Sequence, residues 1–237
     1  MRKALVLVAL MVVGYASAAP IVIYDTLTGT GGWTTTGGQP RNLMADGFNA
    51  IAKTNDITWS VTKIEFIMYV GGAATINKPT VVVSLYDKWV PGGISGAGSA
   101  VFDQLAGQRT FTWGTITTTG VAAYVMTMNL TTPILLKNSN DIGISFNITD
   151  NGTVNSLLGT GMRDLEPAVY GGAPASNVFY RDANSNGFID TGDARTLTGW
   201  TYNNIGVRIT AEAVPEPATV GIVATGLLAL LARRRRK

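Results

Sequence analysis

Between residues 19 and 213, apolar positions come in short runs rich in Val, Ile, Thr and aromatic residues, punctuated by Gly, Asn, Asp and Pro. Such runs predict strands rather than helices. They are Ile21–Tyr24, Val61–Val70, Thr80–Tyr86, Thr110–Thr117, Val121–Asn129, Ile142–Thr149, Asn177–Tyr180 and Ile205–Ala211. In the second, Ile64, Phe66 and Met68 alternate with Lys63, Glu65 and Ile67, which assigns the first three to a core face. Ile142, Ile144, Phe146 and Ile148 alternate in the same way with Gly143, Ser145, Asn147 and Thr149. No body segment carries a long 3.6-residue period, and Ser99–Leu105 predicts at most a short helical turn.

Many short strands separated by turn residues predict an all-β fold, an antiparallel two-sheet β-sandwich of jelly-roll type. Their irregular spacing argues against a propeller or a β-helix. The Gly-rich stretches Val90–Ser99 and Leu157–Gly172 read as loops at the ends of the sandwich.

The pattern changes at both extremities. Met1-Arg2-Lys3 is followed by the unbroken apolar run Ala4–Val13, then Gly14, Tyr15 and the small-residue site Ala16-Ser17-Ala18. This is the layout of a signal peptide, residues 1–18, cut by signal peptidase after Ala18. A cut one residue later would place Pro20 directly after the scissile bond. The apolar run is too short to span a bilayer comfortably.

At the other end, Pro215-Glu216-Pro217 precedes the uncharged stretch Ala218–Ala232 and the cluster Arg233, Arg234, Arg235, Arg236 and Lys237. As a helix the uncharged stretch would be about 22 Å long, short of the ~30 Å hydrocarbon core unless the arginines snorkel. The basic cluster is expected to stay cytoplasmic. Residues 214–237 resemble the PEP-CTERM sorting signal in the order and spacing of all three parts. The resemblance implies a short transmembrane helix and recognition by an exosortase-type membrane peptidase near Pro215, Glu216 and Pro217. It also implies delivery to the cell surface or extracellular matrix of a bacterium that makes exopolysaccharide. Three parts follow: signal peptide 1–18, β-domain 19–213 and sorting segment 214–237.

The formal charge of +3 misleads. Without Arg2, Lys3, Arg233–Arg236, Lys237 and Glu216, eleven cations face fourteen anions, so the body is acidic. The basicity belongs to the topology signals, and nucleic acid is rejected as a partner. The chain has no cysteine and no histidine. Disulfides, Ser-His-Asp and Cys-His catalysis and ordinary zinc sites are thereby excluded. No phosphate-binding Gly-rich loop is present, since Gly92–Gly98 lacks the Lys-Ser/Thr that follows one.

Asp182-Ala183-Asn184-Ser185-Asn186-Gly187-Phe188-Ile189-Asp190-Thr191-Gly192-Asp193 places side-chain oxygens at loop positions 1, 3, 5, 9 and 12, with glycine at position 6. Alternate residues of a tight loop face one side, so hard oxygens converge on one cation. Ile189 is an apolar plug pointing away from the ion. The segment resembles EF-hand and dockerin calcium loops. The resemblance implies Asp182, Asn184, Asn186, Asp190 and Asp193 as ligands, with Phe188 contributing its carbonyl, and Ca2+ as a structural cofactor. Position 12 is Asp193 rather than the usual bidentate glutamate, the flanks read as strand or coil, and one copy implies no cohesin partner. Three carboxylates suggest the roughly 10⁻⁴–10⁻³ M affinity of extracellular modules.

No acidic pair stands out for glycoside hydrolysis. Glu65 sits on a polar strand face, Glu166 precedes Pro167, Glu212 borders the tail, and Asp141, Asp150 and Asp164 read as turn formers. We expect no catalytic residues and no enzyme. Trp33 and Trp89 lie in Gly-rich stretches and are candidate glycan contacts, whereas Trp59 and Trp113 read as strand or core residues. The functional expectation is a non-enzymatic surface or matrix protein. A carbohydrate-binding module for exopolysaccharide is the alternative, and a glycan-active hydrolase or lyase the third reading. The body also loosely resembles β-sandwich domains found ahead of such anchors, through Tyr24-Asp25 and Ala45-Asp46-Gly47-Phe48 before the first long strand.

Overall fold

The structure is a computed structural model that describes residues 19–27, 33–35, 42–51, 57–90, 101–137, 140–149, 158–163, 178–181, 189, 194–195 and 204–214. The expected signal peptide, the segment from Pro215 onward and all of 182–193 except Ile189 lie outside the described residues.

Every described element is a strand. In chain order they are β1 (Ile21–Asp25), β2 (Trp33–Thr35), β3 (Asn42–Phe48), β4 (Thr58–Val70), β5 (Ala74–Ile76), β6 (Thr80–Val90), β7 (Val101–Thr112) and β8 (Ile116–Thr118). There follow β9 (Ala122–Leu136), β10 (Ile142–Thr149), β11 (Leu158–Arg163), β12 (Val178–Arg181), β13 (Ala194–Arg195), β14 (Asn204–Ile205) and β15 (Val207–Val214). A six-stranded sheet runs β13-β12-β3-β10-β6-β7, and a seven-stranded sheet runs β1-β15-β4-β11-β14, with β9 on β4 and β2 on β11. β5 and β8 form a two-stranded ribbon. The fold is therefore all-β, and its registered pairs are antiparallel.

The alternating strands behave as their patterns predict. Ile64, Phe66 and Met68 of β4 are fully buried, as are Ile142, Ile144 and Phe146 of β10. Rings from the two large sheets meet in one core: Phe66 stacks on Phe146 with centroids 4.9 Å apart, and Tyr24 on Phe48 at 4.7 Å. Offset aromatic pairs of this kind add to the gain from buried apolar area.

At the side where β7 and β9 end the sheets, β9 carries a wide bulge: Asn129 pairs with Lys63 and Ile134 with Val61, leaving residues 130–133 opposite Thr62 alone. Arg109 of β7 donates to the freed carbonyls, from Nε to Thr132 at 2.9 Å and from Nη2 to Pro133 at 3.1 Å. Bulges, edge proline and a side chain capping carbonyls all blunt an otherwise reactive strand edge.

Several local expectations are corrected. Where a helical turn was expected over Ser99–Leu105, the chain from Val101 is strand, because β7 pairs along β6 with Val101 opposite Val90 and Leu105 opposite Tyr86. Thr110–Thr117 is two strands in two sheets, β7 and β8, and Trp113 between them donates its backbone N–H to the Pro79 carbonyl at 3.0 Å. Leu158–Arg163, expected to be loop, is β11. Its glycines hid the strand, yet Gly161 is required there: a Cβ would lie 2.4 Å from Ile67 Cγ2. Val90 ends β6 rather than beginning a loop, and residues 91–99 lie outside the described residues.

Candidate functional site

The candidate cation loop occupies a defined place in the topology. β12 pairs with β13 through Tyr180–Arg195 and Arg181–Ala194. The twelve residues 182–193 are thus the connection of a β-hairpin, and positions 1 and 12 are each one residue from the closing pair. β12 also pairs with β3, which fixes the hairpin at one end of the six-stranded sheet. The strand flanks expected from sequence are present in place of the helices of an EF-hand.

Ile189, at position 8, is buried. Its backbone N–H donates to the Tyr86 hydroxyl oxygen at 2.7 Å, and that hydroxyl lies 3.0 Å from Ser145 Oγ. The Tyr86 oxygen thus accepts from Ile189, and either hydroxyl of the Tyr86–Ser145 pair can be the donor between them. Tyr86 and Ser145 belong to β6 and β10 and lie on the face of the sheet opposite the aromatic core, beside Ser84, Ala45 and Gly143. These small neighbours leave room for a covering chain. The sequence marked Ile189 as a plug; its seat on Tyr86 had no local signal. The candidate ligands Asp182, Asn184, Asn186, Phe188, Asp190 and Asp193 themselves lie outside the described residues. Among the described residues, no three acidic side chains come together in a metal-ligating group.

The carboxylates that are described hold backbone. Asp46 is buried between the sheets, where Oδ2 accepts from the Ile205 N–H at 2.8 Å and Oδ1 from the Gly47 N–H at 2.9 Å. Asp25 Oδ1 accepts from the Leu27 N–H at 2.9 Å, and Oδ2 pairs with Arg208 Nε at 2.8 Å. Arg208 Nη1 also approaches Glu65 Oε2, 3.8 Å away, and Lys63 Nζ lies 3.1 Å from the same oxygen. Asp87 Oδ1 accepts from the Lys137 N–H at 2.6 Å. Asp141 sits exposed in a left-handed turn, φ 53°. Asp25 and Glu65 therefore share one guanidinium, an arrangement that ties β1, β15 and β4 together. Asp150, Asp164 and Glu166 lie outside the described residues.

The Tyr-Asp and Ala-Asp-x-Phe segments noticed in the sequence are brought together. Tyr24 stacks on Phe48, while Asp25 and Asp46 each bind elements more than 150 residues away, at Arg208 and Ile205. Both are structural.

Trp33 and Trp89 lie in strands rather than Gly-rich loops, and in different sheets. Trp33 is registered opposite Gly161 and Trp89 opposite Phe102. Trp59 is buried, and Trp113 packs against Phe66 and Phe111 with centroids 6.2 Å away in each case. Among the described residues, no helix is long and apolar enough to cross a membrane.

The family model of the PEP-CTERM protein-sorting motif matches residues 213–237. Neither a curated protein nor a solved structure matches the chain. The match defines the class: an exported protein associated with the cell envelope. More particularly, the chain is one that an exosortase sorts and processes at the membrane. The matched segment begins at Ala213, inside β15, whose last residue is Val214.

Proposed function

We propose that this chain is a non-enzymatic structural protein of the cell surface or extracellular matrix, whose body is a two-sheet β-sandwich of jelly-roll type. The observation that carries this reading is the sorting motif fused directly to a described all-β body. The described buried carboxylates Asp25, Asp46 and Asp87 are engaged in backbone or ion-pair contacts, which supports a scaffold rather than an acid–base pair. Residues 1–18 are the cleaved signal, 19–213 the body, and 218–232 a transient membrane helix with Arg233–Arg236 on the cytoplasmic side.

In the same reading, residues 182–193 hold a structural Ca2+ through Asp182, Asn184, Asn186, Asp190, Asp193 and the Phe188 carbonyl. The paired strands on either side of the segment and the seat of Ile189 support this, because a connection anchored at these points loses less freedom on binding an ion. In a chain without disulfides the ion would clamp an otherwise long connection.

The test is mass spectrometry of both termini together with cell fractionation. A mature N-terminus at Ala19, a C-terminus near Pro215–Pro217 and recovery from the surface or matrix fraction are expected. Intact Met1 and Lys237 on cytosolic protein would refute the proposal. Polysaccharide binding lost in Trp33→Ala or Trp89→Ala would instead favour the exopolysaccharide-binding reading.

A further inference from the structure

We propose that the end of the seven-stranded sheet at which β15 terminates is a membrane-docking surface that rests on lipid headgroups while the chain is anchored. This rests on the reading above that residues 218–232 enter the bilayer. Val214 is still in register, opposite Thr58, and only Pro215, Glu216 and Pro217 separate it from the uncharged stretch. Four residue steps cover at most about 14 Å. The headgroup layer on each side of a bilayer is itself roughly 5–8 Å thick. β15 cannot act as a swinging linker, because it pairs with β4 from Val207 to Val214 and with β1 from Arg208 to Ala211. The sheet end is therefore brought to the lipid surface by covalent geometry. An uncharged segment shorter than the hydrocarbon core draws it closer still.

Two further observations agree. β1 starts at this same end, with Ile21 opposite Ala211, so the chain leaves toward both of its terminal segments from one side of the sheet. Exposed large apolar side chains are also found there: Ile21 at 45%, Leu135 at 51% and Val214 at 38%. Leu135 is registered opposite Ser60, in the same row as Glu212 and next to the Thr58–Val214 row. Lys137, exposed two residues on, offers a cation to headgroup phosphates. Apolar tips with a flanking lysine are the composition of an interfacial contact.

The absence of cysteine allows a clean labelling test. Leu135→Cys and Val125→Cys, each carrying an environment-sensitive fluorophore, are made in the chain that retains its C-terminal segment. Val125, 60% exposed, is the control: it lies opposite Ile67, seven positions along β4 from Ser60, or about 23 Å. Both proteins are reconstituted into phosphatidylethanolamine–phosphatidylglycerol vesicles with and without headgroup-nitroxide lipid. Unfolding midpoints matching the unlabelled chain show that both variants fold. We expect at least twofold stronger quenching and a blue shift at position 135. Co-flotation with equal quenching at the two positions overturns the docking surface while leaving the anchor reading intact. Failure of the chain to float with the vesicles overturns both.

Discussion

The Asp46 carboxylate accepts the backbone N–H of Ile205 at 2.8 Å, joining the six-stranded sheet to the seven-stranded sheet across 159 residues of chain. A buried carboxylate is costly unless its oxygens are met by donors, and here both are. Asp46→Ala leaves the Ile205 N–H without this partner. We expect a loss of about 2–4 kcal/mol, measured by urea unfolding. A change below about 0.5 kcal/mol would show that water replaces the carboxylate freely.

Gly161 lies against Ile67 so closely that no Cβ fits without movement. Gly161→Ala should destabilise the fold by about 1–3 kcal/mol through overpacking. Ile67→Ala, which removes the obstructing atoms, should make the second substitution much less harmful. The double-mutant cycle is the measurement, with a favourable coupling above about 1 kcal/mol expected.

Tyr86→Phe removes the acceptor for the Ile189 N–H and the partner of Ser145 while keeping the ring. A cost of about 1–3 kcal/mol is expected for the buried groups left unmet. Because Ile189 belongs to the candidate ion loop, the variant should also respond less to calcium. A loss of stability with an unchanged calcium response would separate the seat from the site.

Calcium should raise the melting temperature, and chelation should lower it. At a Kd of roughly 10⁻⁴ M, 10 mM calcium is a hundredfold excess and adds about 2.7 kcal/mol. Asp182→Ala, at the first loop position, should abolish the difference. Scanning calorimetry with calcium and with chelator decides the matter, and identical curves for the parent chain would remove calcium from the account.

How much of this was legible beforehand depends on how local the cause is. Ile64, Phe66 and Met68 show their burial through alternation alone, because a half-buried strand has to present every second residue to the core. The charge and hydropathy break at the C-terminal end is equally local, and the matched motif at 213–237 agrees with it. The twelve-residue spacing of oxygens from Asp182 to Asp193 is also written in one stretch of chain. β11 is different. Leu-Gly-Thr-Gly-Met-Arg has weak strand propensity and becomes a strand because β4 and β2 pair with its two edges. Asp46 carries no local signal of burial in Ala-Asp-Gly-Phe, yet it sits buried in β3, since the donor that makes its burial tolerable arrives from Ile205.

The all-β class, the core faces of β4 and β10, the exported and sorted fate and the composition of the candidate ion loop can all be read along the chain. Each is a property of residues within one turn, strand or segment. The separate sheets of Trp33 and Trp89, the seat of Ile189 on Tyr86 and the end of β15 where the sorting motif begins emerge only from the folded chain. Those relations join residues far apart in the chain, and antiparallel register, a long-range choice, is what sets them.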